Sequence, residues 1–204
     1  MPTTKRSTTP PDAIRVLKDD HAEVEQLFKR FEQLGPKASA TKRKVADRVI
    51  EALSVHAGIE ETVLYPAIRE QMPDAESDVL EALEEHHLVK TVLAELARTQ
   101  PDDERFVPKM TVLMENVRHH VKEEERDLFK QMRASMSKGD LTDLGTALRD
   151  ARKTAPKRPH PHASDTPPGN LVATAITAGI DSGLLPASAN SMSRHSSPAS
   201  AARR

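Results

Sequence analysis

One pattern occurs twice in this chain. His21, followed by His56-Ala-Gly-Ile-Glu60-Glu61-Thr-Val-Leu64-Tyr65, returns as His86, followed by His120-Val-Lys-Glu-Glu124-Glu125-Arg-Asp-Leu128-Phe129. The displacement is 65 residues at the first histidine and 64 at the His-x-x-x-Glu segment. Two equivalent structural units are therefore expected, each carrying two histidines and one glutamate: His21, His56 and Glu60 in the first, His86, His120 and Glu124 in the second.

Each unit has the spacing of a helical hairpin. Ile14, Leu17, His21, Val24, Phe28 and Phe31 follow one another in steps of three and four, the stripe of an amphipathic helix, which ends near Gly35-Pro36. A second helix from about Ala40 carries Val45, Val49, Leu53, His56, Glu60 and Leu64 on one face, and Pro66 is expected to bend or end it. A third, after Pro73-Asp74, runs through Val79, Leu83, His86, Val89, Leu93 and Leu96. A fourth, after Pro101, runs through Met110, Leu113, Val117, His120, Glu124 and Leu128. No stretch shows strand alternation. The predicted fold class is all-α: an up-down-up-down four-helix bundle made of a duplicated helical hairpin, with a short fifth helix from Asp140 to Arg152. Residues 1–11 read as a flexible N-terminus, 12–152 as the bundle, and 153–204 as a low-complexity, mostly disordered tail. Seven of the fifteen prolines and none of the five aromatic residues fall after residue 154. The apolar stretch Leu171 to Leu185 is the one docking helix that tail offers, and a protein partner for it is expected.

In antiparallel helices, side chains meet when they lie equally far from the connecting turn. His21 lies 16 residues before a turn near Lys37 and His56 lies 19 after it; His86 lies 16 before a turn near Asp102 and His120 lies 18 after it. At ~1.5 Å per residue the four histidines fall within about one turn of a common height, with Glu60 and Glu124 one turn away. A single unpaired buried carboxylate costs several kcal/mol. Six such groups at one level of a bundle core demand a cationic partner, so His21, His56, Glu60, His86, His120 and Glu124 are the candidate metal ligands. His87 and His119 point about 100° off the stripe and read as surface residues. Glu61 and Glu125 are either hydrogen-bond partners of the ligands or solvated. Tyr65 and Phe129 read as packing residues, with the Tyr65 phenol reaching the site as the alternative.

Composition narrows the chemistry. With no cysteine, there can be no disulfide, thiolate zinc site, cysteine-ligated iron–sulfur cluster or cysteine nucleophile. Imidazole and carboxylate without sulfur suit iron, and manganese or zinc less well. A formal charge of -1, from 30 basic and 31 acidic residues, gives no field that would draw the chain to nucleic acid or an anionic membrane. There is no apolar run of membrane-spanning length and no secretory leader pattern, so a cytoplasmic protein with neither nucleic-acid nor membrane partners is expected.

The same residues resemble the hemerythrin HHE cation-binding domain: His21, the segment His56 to Pro66, the Glu85-His86 pair, and the segment His120 to Phe129. The resemblance spans about Asp12 to Met132. It implies a non-haem di-iron centre of two iron ions in a four-helix bundle, with a small diatomic molecule or peroxide as the ligand that the protein binds or senses. Oxygen carriers of the family place a second histidine one turn after the first on the third helix, where this chain has Lys90. That departure favours the carboxylate-rich members, which are linked to oxygen, nitric oxide or iron sensing, peroxide handling and iron homeostasis. The sequence leaves open whether the protein turns over as an enzyme. Iron storage and a catalase- or peroxidase-like activity are the alternatives. Lys90 is expected to extend its ammonium along the surface to solvent; turned inward, it would instead be a proton donor to bound peroxide.

Overall fold

The structure, a computed structural model, describes residues 10–163. Its helices are α1 (Ala13–Glu32), α2 (Ser39–Ile59), α3 (Tyr65–Gln71), α4 (Glu76–Arg98), α5 (Phe106–Glu123), α6 (Phe129–Ser135) and α7 (Lys138–Ala151). Five-residue π-helical segments, Glu60–Leu64 and Glu124–Leu128, join α2 to α3 and α5 to α6 without a break. The four long rods of the bundle are thus α1, α2–α3, α4 and α5–α6, and among the described residues there is no strand. α1 packs on α2, α4 on α5, and α2 on α4, as the duplicated-hairpin reading requires.

The local chemistry explains the ends. Asp12 caps α1 by accepting from the Arg15 amide at 2.8 Å, and α1 stops just before Gly35-Pro36. Pro66 does not end the second rod. It sits in the first turn of α3, directly after the π segment. The proline does not cause the wide turn, because the second repeat has Lys130 in the corresponding place and makes the same π segment. What the two segments share is a start on Glu-Glu. π turns of this length are uncommon and gather at functional sites.

α7 starts at a capping box, in which Ser137 Oγ accepts from the Asp140 amide and Asp140 accepts from the Ser137 amide. It lies against α1 and the first π segment. Beyond it, residues 153–163, expected as the start of a mobile tail, run back along α2: Lys157 Nζ is 3.0 Å from Glu51, and Pro156 lies over Gly58. The Leu171–Leu185 stretch lies outside the described residues. None of the described helices is long and apolar enough to cross a membrane.

The apolar interior is in two parts. One cluster joins the start of α1 to α3, α6 and α7 through Ile14, Leu17, Tyr65, Ile68, Phe129 and Leu148. The other joins the far ends of α1, α2, α4 and α5 through Phe28, Phe31, Val49, Leu93, Phe106 and Met110. Between them lies a layer of buried histidine and glutamate.

Candidate metal centre

All six side chains singled out from the spacing are buried, and they meet in this layer. One nitrogen or oxygen from each of His21, His56, Glu60 and Glu124 lies within 4.8 Å of the others, and the same holds for Glu60, His86 and His120. The first pair of histidines comes from the first repeat and the second pair from the second, while Glu60 belongs to both groups. His56 Nε2 and His86 Nε2 each lie 3.3 Å from Glu60 Oε2, His21 Nε2 lies 3.2 Å from Glu124 Oε2, and His86 Nε2 lies 3.2 Å from His120 Nε2.

Every ring turns its other nitrogen outward to a carboxylate. His21 Nδ1 is 2.9 Å from Glu125, His86 Nδ1 is 3.1 Å from Glu61, and His120 Nδ1 is 2.7 Å from Glu85; His56 Nδ1 is 3.5 Å from Asp20. This outer ring is duplicated as well. Asp20 and Glu85, each just before a histidine, serve the other histidine of their own repeat. Glu61 and Glu125, each just after a central glutamate, serve the opposite repeat. Three of these carboxylates are backed by cations: Asp20 by Arg152, Glu61 by Lys90 at 2.9 Å and Glu125 by Lys18 at 2.7 Å. Lys90 is therefore buried against Glu61 and does not extend to solvent, as its length and the family departure had suggested. The ion pair, reached from the next rod, gives the ammonium a partner inside.

The electrostatics favour ionised outer carboxylates. Burial works against ionisation of Asp20, Glu61 and Glu125, yet their histidine and lysine or arginine partners hold all three below the ordinary carboxylate range; the bond to His120 does the same for Glu85. An ionised carboxylate on Nδ1 draws the ring proton to that side and leaves Nε2 with a lone pair. His86 and His120 bring their Nε2 atoms face to face across 3.2 Å, where a cation between them would be shared by both rings. Seven buried atoms of His21, His56, Glu60 and Glu124, including all four carboxylate oxygens, have no aligned hydrogen-bond partner. Each such atom costs ~1–3 kcal/mol. Burial and the neighbouring Glu124 charge push Glu60 well above the ordinary carboxylate value, so without a cation this glutamate holds a proton. Imidazoles and carboxylates left without partners are a donor set that fits iron, manganese or zinc.

The remaining candidates divide. The Tyr65 hydroxyl comes within 3.3 Å of His86 Nε2, while its counterpart Phe129 stacks on the His21 ring at 5.9 Å. His119 is exposed, 3.3 Å from Glu123, and His87 is also on the surface. A void of about 20 Å³ is bordered by all four inner histidines and otherwise by apolar side chains, among them Val24, Leu53, Val89 and Val117.

The hemerythrin HHE cation-binding domain model matches residues 12–132. A hemerythrin-like protein of the yeast Schizosaccharomyces pombe is 24% identical over 163 residues, which is 79% of this chain and 79% of that protein. A DNA nickase of the cyanobacterium Nostoc is 27% identical over 146 residues, covering 70% of this chain but only 40% of the nickase. The crystal structure of a hemerythrin HHE domain-containing protein from Mycobacterium kansasii matches with a TM-score of 0.59 at 22% identity, over 70% of this chain and 86% of that one.

Proposed function

Since the chain belongs to the hemerythrin HHE cation-binding domain family, we propose that it holds a non-haem di-iron centre and reacts with or senses dioxygen, peroxide or nitric oxide. His21 and His56 would hold one ion and His86 and His120 the other, with Glu60 and Glu124 as the carboxylates that would serve the pair. The place of Glu60 in both clusters supports this assignment. Iron held there would supply redox chemistry toward a small ligand. The outer carboxylates fix the His21, His86 and His120 rings at Nδ1, which keeps their inner nitrogens aimed at the centre.

The observation that carries the choice of ligand is the void beside the four histidines. At about 20 Å³ it admits one small molecule and no larger substrate, and its apolar lining keeps bulk water away. The test is anaerobic loading with iron(II), elemental analysis, and optical spectra after separate additions of oxygen, peroxide and nitric oxide. Two ions per chain and a spectral change with at least one of the three are expected. Protein that takes up no transition metal, or whose loaded form responds to none of them, sinks the reading.

The Tyr65 phenol at His86 favours a second reading, a peroxide-consuming enzyme, because it places a proton donor at the inner face of the site. Peroxide turnover that falls in Tyr65→Phe, at unchanged iron content, supports it. Equal turnover in the two proteins removes it.

A further inference from the structure

Two surface clefts lead to the six residues, and they differ in sign. The cleft between α1 and α5 ends at His21 and has Lys18, Arg118, Lys122 and Arg126 around it against Glu25 and Glu125. The cleft between α4 and the rod α5–α6 has a volume of about 260 Å³ and ends at His120 and Glu124. Its walls carry Asp78, Glu81, Glu85, Glu123 and Asp127, with Arg126 as their cation.

We propose that this acidic cleft is the route by which a divalent cation reaches the centre, and that Glu85, His119 and Glu123 form an outer site where the cation is first held. The inference rests on the metal-centre reading above. One ligand atom from each of these three residues lies within 4.8 Å of the others. The inner end of the cleft is more than an acidic patch, because Glu124 stands there, 5% exposed, with neither carboxylate oxygen in an aligned hydrogen bond. A charge of that kind, buried at the bottom of an acidic cleft, attracts a cation inward. Glu85 spans the two levels: one oxygen is 3.9 Å from His119 Nε2 and the other 2.7 Å from His120 Nδ1. A cation at the outer site is thus one carboxylate away from an inner histidine. Walls of one sign around a low-dielectric cleft raise the local concentration and the arrival rate of the opposite charge by ~10- to 1,000-fold at low ionic strength. The basic cleft at His21 repels the same ion.

The test uses cobalt(II), whose absorption reports binding to imidazole and carboxylate, mixed with the metal-free full chain in a stopped-flow instrument. Two altered proteins are compared with the natural one: Glu81→Lys, which changes wall charge only, and the pair His119→Ala with Glu123→Gln, which removes the outer site but spares Glu85. Both are expected to bind the same number of ions at equilibrium and to load about tenfold more slowly at low salt, with the Glu81→Lys difference shrinking as salt is raised. Glu23→Gln, remote from the cleft, is expected to load within twofold of the natural rate. Natural loading rates in both cleft variants overturn the route, and so does a loss of final occupancy, which would mean a structural role. Natural protein that binds no cobalt at all overturns the metal centre itself, and the route with it.

Discussion

At His21 burial competes with two carboxylates over one proton. Burial favours the neutral ring, but the close contact and charge of Glu124, 3.2 Å away, and the bond to Glu125 outweigh it and raise the imidazole to about 9. His56 goes the other way: burial lowers it to about 4 despite its contact with Asp20. The metal-free centre at neutral pH therefore holds one proton on His21 and another on Glu60, while His56 is already neutral. A cation must displace both protons. As pH rises His21 gives up its proton unaided, so on that account metal affinity should climb by ~tenfold per pH unit until about pH 9. Chelator-competition titrations between about pH 6 and 9, with proton release followed in weak buffer, measure this. An affinity independent of pH would show that the centre is not protonated when empty. At this scale the six inner residues were legible because they lie on apolar stripes, where a polar residue stands out. Asp20, Glu61, Glu85 and Glu125 were not assignable, since each sits one position off its stripe and bonds to a ring on another rod. Lys90 was misread for the same reason: its partner, Glu61, is 29 residues away and not on its own helix.

Among the elements, the two π segments and α7 set the geometry that helix spacing alone misses. The helices themselves lie within a few residues of the predicted bounds, because caps, glycine and proline mark them. The π turns leave no such mark, as the apolar spacing on both sides is that of an α-helix. Their effect is to let consecutive residues face inward, so that Glu60 meets the centre while Glu61 reaches His86. α7 enters through Arg152, which grips Asp20 behind His56. Its seat is Gly145, where an added Cβ would lie 2.6 Å from the Pro11 carbonyl oxygen and 2.7 Å from the Ala13 nitrogen. Those atoms belong to the backbone at the start of α1 and cannot move aside cheaply. In Gly145→Ala the gain in helix propensity, ~1 kcal/mol, competes with an overpacking cost of ~1–3 kcal/mol plus the loss of the Arg152 contact. The clash should win. Chemical denaturation is expected to show a net destabilisation of roughly 1–2 kcal/mol, and metal affinity should fall as Asp20 loosens. A variant as stable as the natural protein, with unchanged affinity, would mean that α7 does not rest on α1 at this point.

At the scale of the whole molecule, the polar layer separates two apolar clusters that, among the described residues, form separate hydrophobic cores. Each rod passes through the layer, and each of the four rods contributes a histidine: His21 from α1, His56 from α2, His86 from α4 and His120 from α5. Without a cation the layer is the weak plane of the bundle, because its unpartnered carboxylates and facing imidazole nitrogens are stabilised better by solvent in the opened chain than by each other. A cation bound at the junction of all four rods reverses this, since it binds the folded chain and not the unfolded one. At a concentration ~100 times the dissociation constant the stabilisation is ~2.7 kcal/mol. A bundle of this size gains ~2–4 °C per kcal/mol, so chelation should lower the thermal midpoint by roughly 5–10 °C. The loss should also be local. In hydrogen-exchange experiments on the chelated protein, amides of Glu60–Leu64 and Glu124–Leu128 are expected to exchange faster before the ends of α1 and α5 do, because the layer opens first. Uniform acceleration along all four rods, or a midpoint that does not respond to chelation, would show that the two clusters are held together by something other than the ions between them.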